Sequence, residues 1–88
     1  MEVAFSSTFK KAFRKRIKRD VLLEKRFWQK LDVFIENPFN RELRTHKLSG
    51  TLDGLWSFSV EFDCRVIFYF PEDGKAMFVD IGKHDEVY

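Results

Sequence analysis

The carboxy-terminal run Asp80-Ile-Gly-Lys-His84-Asp-Glu-Val-Tyr88 puts a histidine just beyond a predicted strand and a tyrosine four residues later. Upstream lie His46-Lys-Leu-Ser-Gly50, Trp56 and Asp63-Cys-Arg65. This set combines proton-transfer groups, a fixed cation and aromatic rings. Histidine titrates near ~6.5 and can serve as acid or base. Arginine grips phosphate through paired hydrogen bonds, and aromatic rings stack on unpaired bases. RNA carries its own nucleophile, the 2′-hydroxyl. Its cleavage therefore needs only a base, a cation for the charged phosphorane and an acid for the leaving 5′-oxygen. The residue types present suit that chemistry.

Each of these residues also has a purely structural reading. His84 is either a proton-transfer group or an exposed loop histidine. His46, between Arg44 and Lys47 and their charges, is a catalytic partner or a solvated edge-strand residue. Arg65 interrupts an apolar run, so it either pairs with Glu61 or Asp63 or is held for a phosphate. Tyr88 can stack on a base or pack as a terminal anchor. Trp56 alternates with Phe58 and Val60 and reads as core. Other chemistries lack their parts. Two isolated histidines and no HExxH leave too few ligands for zinc. Gly-rich phosphate loops and a GxSxG elbow are absent, so neither metal nor cofactor is expected. The single cysteine, Cys64, lies in an apolar run and reads as a small buried hydrophobe. One cysteine excludes an internal disulfide and fits a reducing cytoplasm.

The 88 residues make one small domain, residues 1–88, with 11 Phe and 2 Trp to build its core. No secretion signal or membrane span is legible, so no membrane partner is expected. Net charge is only +2, yet it is unevenly divided. Residues 1–30 hold ten Lys or Arg against Glu2, Asp20 and Glu24. The remaining residues hold six against eleven acids. Such polarity suggests a basic face for a polyanion or an acidic partner, against the alternative of a solvated helix face.

The elements that must position these groups follow from periodicity. Glu2–Phe5 reads as a strand, and Ser6 or Ser7 as the cap of a helix reaching about Arg19. Phe9, Phe13 and Ile17 form its buried stripe. Lys10, Arg14 and Lys18 form an exposed row, with Lys11, Lys15 and Arg19 beside it. Asp20 caps a second helix, Val21 to about Glu36, which Asn37-Pro38 ends. The short gap predicts an antiparallel helical hairpin. Leu43–Leu48 reads as a strand. Trp56, Phe58, Val60 and Phe62 alternate as the buried side of the next one. Cys64–Phe70 reads as a central strand, Pro71–Gly74 as a hairpin turn and Ala76–Ile81 as the last strand. The predicted fold class is α+β, a helical hairpin packed on a twisted antiparallel sheet of four to five strands in the order β-α-α-β-β-β. One sheet face packs on the helices, and the other can be open and polar.

At this point the residues resemble a known family across essentially the whole chain. A Phe-rich basic first helix, His46-Lys-Leu-Ser-Gly50, Trp56-Ser57, Asp63-Cys-Arg65-Val-Ile-Phe68 and Ile81-Gly-Lys-His84-Asp-Glu-Val-Tyr88 are similar to the RelE/ParE superfamily of bacterial type II toxins. The likeness is greatest to its RelE, YafQ and HigB-like ribonuclease branches. The resemblance implies an mRNA interferase that cuts mRNA in the A site of the 30S ribosome and is held inactive by a cognate antitoxin. His46 matches the histidine before the Leu-x-Gly segment of YafQ-like toxins, and Asp63 the aspartate ahead of their central strand. Arg65 matches the phosphate-stabilising arginine of RelE-like members, His84 the carboxy-terminal histidine of the YafQ and YoeB-like groups, and Tyr88 a terminal aromatic. Lys10, Lys11, Arg14, Lys15 and Lys18, with Arg44 and Lys47, match the surface such toxins turn to ribosomal RNA and message. Where YafQ-like toxins carry a further histidine four residues before the aspartate, this chain has Ser59. ParE-like members inhibit DNA gyrase instead, so the alternative is a non-catalytic or gyrase-inhibiting toxin, or an inactive antitoxin- or RNA-binding member.

Overall fold

Side-chain caps start both long helices, in a computed structural model that describes residues 1–88. Strand β1 (Glu2–Phe5) runs into Ser6, whose hydroxyl accepts the Phe9 amide at 3.0 Å and caps α1 (Ser7–Arg16). The sequence predicts this helix to about Arg19, but it ends at Arg16 with Ile17 as C-cap. The Lys18 amide reaches back to the Phe13 carbonyl and the Asp20 amide to Ile17, which closes a tight turn. Arg14, Lys15 and Arg16 then occupy the last turn, where cations offset the helix dipole. Asp20 accepts the Leu23 amide at 3.1 Å and caps α2 (Val21–Glu36).

The sheet contains β2 (His46–Lys47), β3 (Trp56–Glu61), β4 (Cys64–Tyr69) and β5 (Lys75–Gly82), and its spatial order is β1-β5-β4-β3-β2. The apolar run of β4 is central, as its composition predicts. All pairs are antiparallel except β1 with β5. That parallel pair, which joins the first and last strands across the helices and β2–β4, makes the sheet mixed. A four-residue helix, α3 (His84–Val87), follows β5. Strand periodicity gave no signal for it.

Two strand expectations fail for local reasons. Leu43–Leu48 is not one strand. Asn40 accepts the Glu42 amide at 3.0 Å and starts a 3-10 turn over Arg41–Leu43. Arg44 then takes a left-handed conformation (φ 52°), so only His46 and Lys47 extend. Phe62 is not core, because a bulge between Ser59 and Glu61 ends the alternation and Phe62 turns out to water, 94% exposed.

The core lies between the helices and one face of the sheet. Phe9 and Phe13 of α1, Phe27, Leu31 and Phe34 of α2, Phe58 and Val60 of β3, and Cys64, Val66 and Phe68 of β4 are all buried there. Trp56 is half-buried at its margin, edge-on to Phe39 and Phe70 at 5.6 and 5.5 Å.

Burial, with the carboxylates of Glu61, Glu86 and Asp63 nearby, pushes the Cys64 thiol from 9.0 up to about 12. The thiol stays protonated when folded but ionises in the unfolded chain. Its contribution to stability is therefore complete below pH 9 and lost as pH rises towards 12. We expect wild-type denaturation midpoints to fall more steeply over that range than those of Cys64→Ala. A thiol reagent at pH 8 should modify the native protein only at its unfolding rate.

Candidate functional site

Paired residues of an antiparallel ladder share a sheet face. His46 pairs with Ser57 and Ser57 with Ile67, while Ser59 pairs with Arg65 and Arg65 with Gly82. This row lies on the face opposite the phenylalanine core. α3 packs on that face against β4 and β5, and beneath it Ser57 and Ile67 are buried.

The carboxy-terminal segment is fastened at two points. The Tyr88 hydroxyl donates to Ser57 Oγ at 2.7 Å, which satisfies a fully buried hydroxyl. At its other end Arg16 of α1 donates through Nη1 to Asp80 Oδ1 and to the Ile81 carbonyl, both at 3.1 Å. The Arg16 Nε lies 3.7 Å from Glu86 Oε2, and Glu86 Oε1 accepts the Lys83 amide at 2.7 Å. Gly82 leaves room for this arrangement, since a Cβ there would sit 2.8 Å from Glu86 Oε1 and 3.0 Å from Arg16 Nη1. Between the two fastenings, His84 is exposed and packs edge-to-face on Tyr88, with ring centroids 4.6 Å apart at 76°.

Arg65 forms neither of the salt bridges its neighbours could offer. Its Nη1 donates to Ser59 Oγ at 3.1 Å, and no carboxylate pairs with it. It is half-buried and lines a cleft of 260 Å³. His46 is exposed on β2, with Nδ1 3.0 Å from the Arg44 carbonyl. A carbonyl can only accept, so Nδ1 carries the proton and a neutral ring keeps its lone pair on Nε2. Such a ring can act as a base.

The sheet thus brings His46, Ser57, Ser59 and Arg65 onto one face, with His84 and Tyr88 strapped across its end. Asp63 is not in this group. It is exposed in the β3–β4 turn and lines a separate cleft of 390 Å³ with Lys15, Arg16, Glu61, Lys83 and Glu86. Lys10, Lys11, Arg14 and Lys15 are exposed on α1 and Lys18 in the turn after it, as are Arg44 and Lys47 near His46.

Sequence reasoning missed Arg16 and Ser57. Arg16 looked like one more member of a basic block. Its spacing held a signal, since it follows Ala12 by four residues and Phe9 by seven, on the margin of the buried stripe. Ser57 stood only in the Trp56-Ser57 motif and in the alternation with core residues, and neither pointed to Tyr88 as its partner. If Arg16 fastens α3, Arg16→Gln and Gly82→Ala should both raise amide exchange over residues 84–88. Arg16→Gln should also cost about 1–3 kcal/mol of stability, as expected for hydrogen bonds to charged groups.

Over residues 1–88 the sequence matches the family described as a bacterial toxin of type II toxin-antitoxin system, YafQ. No curated protein matches the chain in sequence. Among solved structures, YafQ from E. coli strain BL21(DE3) superposes with a TM-score of 0.79 at 21% identity, covering 99% of this chain and 97% of that one. A YoeB/ParE toxin from Agrobacterium tumefaciens superposes at 0.78 with 14% identity, covering 96% and 99%. YafQ in the E. coli DinJ-YafQ toxin-antitoxin complex superposes at 0.72 with 22% identity, covering 99% and 96%. At such identities the structures establish a shared α+β fold, and the family match over the full sequence goes further: the chain belongs to the YafQ family of bacterial type II toxin-antitoxin toxins.

Proposed function

We propose that this toxin is a metal-independent endoribonuclease that cleaves mRNA in the A site of the 30S ribosome by 2′-hydroxyl attack. The observation that carries this reading is Arg65, a half-buried cation with no carboxylate partner, on a sheet face that also bears His46 and the strapped His84.

In this mechanism Nε2 of His46 takes the 2′-proton as the oxygen attacks phosphorus. The Arg65 guanidinium, oriented by Ser59, holds the phosphorane oxygens through its remaining N–H groups. His84 gives a proton to the leaving 5′-oxygen, and Tyr88 keeps its ring in place. The products are a 2′,3′-cyclic phosphate and a 5′-hydroxyl. Asp63 is the second candidate for the base, and Asp63→Asn against His46→Ala separates the two. The exposed cations of α1 serve ribosomal RNA, with an attraction that weakens as salt rises.

The partner we infer is a cognate antitoxin. DinJ-YafQ from E. coli and YoeB-YefM from Staphylococcus aureus are toxin-antitoxin complexes of this fold. A cleft of 260 Å³ with Phe5, Phe13 and Trp28 in its walls and Lys10, Arg14 and Lys18 at its rim suits an acidic, partly apolar segment. The toxin would act in the cytoplasm, and no helix in it is long and apolar enough to cross a membrane.

Induction in a bacterial host, with 5′ ends mapped on a well-translated message, tests the reading. We expect new cuts within codons of the reading frame. Arg65→Ala and His84→Ala should each reduce cutting by about 10²–10⁴-fold, the usual weight of one proton-transfer or charge-stabilising group. Survival of toxicity in both variants would refute cleavage. Growth arrest without cuts would point to gyrase.

A second expectation concerns metal. Cutting of free RNA should persist in EDTA, because imidazole and guanidinium groups supply proton transfer and charge stabilisation without a metal ion. Strict magnesium dependence of the chemical step would exclude the mechanism.

A further inference from the structure

Phe62 holds its ring in water at the tip of the β3–β4 turn, 94% exposed. A lone exposed apolar residue is ordinary, but this one lines the same 260 Å³ cleft as Arg44, Ser59 and Arg65. Charge in the cleft is unevenly settled. Its two carboxylates are already engaged, Glu42 by Lys30 at 3.5 Å and Glu61 by Arg26 at 3.7 Å. No carboxylate pairs with Arg44 or Arg65. Arg44 is also the one non-glycine residue with a positive φ, 52°, a conformation that L residues seldom adopt. The edge of β3 is open here too, because β2 pairs only with Trp56 and Ser57.

An exposed ring beside two unpaired guanidinium groups is the pairing by which proteins hold single-stranded nucleic acid. The ring accepts any base face, and the cations follow the backbone. We propose that this cleft is a nucleotide subsite. Phe62 stacks on one unpaired base of single-stranded RNA, and Arg44 and Arg65 hold the phosphates beside that base. The subsite rests on the cleavage reading only in identifying the Arg65 phosphate as the scissile one. It would place the stacked nucleotide next to the cut, so base preference there would follow stacking strength more than hydrogen bonding.

Binding can be measured without cleavage by using a fluorescent hexanucleotide with every 2′-oxygen methylated. Phe62→Ala and Phe62→Leu should both weaken binding about tenfold, the size of one lost stack. Leu matters because it keeps the apolar bulk and loses only the aromatic face. Phe62→Trp should bind at least as well as wild type, and its added emission should quench on RNA. Arg44→Ala should weaken binding and lower the slope of log K against log salt by about 0.7, as for one phosphate on a single strand. Wild-type affinity in Phe62→Leu, or no binding by the wild type, overturns the subsite, as does RNA-independent emission in Phe62→Trp. The two readings fail separately. Phe62-dependent binding by a protein that cuts no message leaves the subsite standing without the nuclease. Cuts abolished by His84→Ala but unaltered in Phe62→Leu, with binding also unaltered, leave the nuclease standing without the subsite.

Discussion

Phe78 is the residue on which the rest of the structure converges. Its ring meets Phe5 of β1 at 5.7 Å, Phe9 of α1 at 5.6 Å and Phe34 of α2 at 5.3 Å. It also meets Phe58 of β3 at 5.5 Å and Phe68 of β4 at 6.0 Å. Five elements thus touch one side chain, on the strand that pairs with both β1 and β4. A chain of 88 residues has little surface to bury, and interlocked aromatic rings concentrate that burial in few positions. Because the core is complete on one side of the sheet, the other side is free to carry polar groups. A register shift in β5 after Phe78 maintains the division, keeping Phe78 and Ile81 both in the core while Gly82 comes opposite Arg65.

The polar face depends on the helical layer through Arg16. A helix of four residues has too few hydrogen bonds to hold itself. α3 is fixed instead by Arg16, reaching from α1 to Asp80, Ile81 and Glu86, and by Tyr88 bonding Ser57. The orientation of His84 is therefore set partly by a residue of the first helix. The basic block of that helix divides into two roles. Arg16 is used inside the protein, while Lys10, Lys11, Arg14, Lys15 and Lys18 remain in solvent.

Periodicity revealed most of the fold because its signals were strong. Phe9 and Phe13 on one helical stripe, the caps Ser6 and Asp20, and the apolar run of β4 each pointed to the element that forms. The failures lie where a local bond overrides a pattern. Asn40 and the left-handed Arg44 shorten a six-residue strand prediction to two residues. A bulge and turn expel Phe62. The candidate site was legible as residue types but not as partners. Alternation gave Arg65 two carboxylate neighbours to pair with, yet the cross-strand register sets it against Ser59, a pairing visible only once the bulge is located.

Ser59 also bears on how proton transfer is shared. The resemblance puts a histidine at this position in related toxins, where it would stand beside the phosphate-binding group. A serine there cannot be a useful base near neutral pH, but it can accept from Arg65 and fix the guanidinium plane. In the cleavage we propose, the base then comes from elsewhere on the face. His46 pairs across to Ser57, two residues from Ser59, and its Nδ1 is committed to the Arg44 carbonyl, leaving Nε2 as the acceptor. The same carbonyl belongs to the residue held at φ 52°. The strained backbone at Arg44 thus serves two groups at once, placing its own side chain in the cleft and fixing the tautomer of His46, the base in the cleavage we propose.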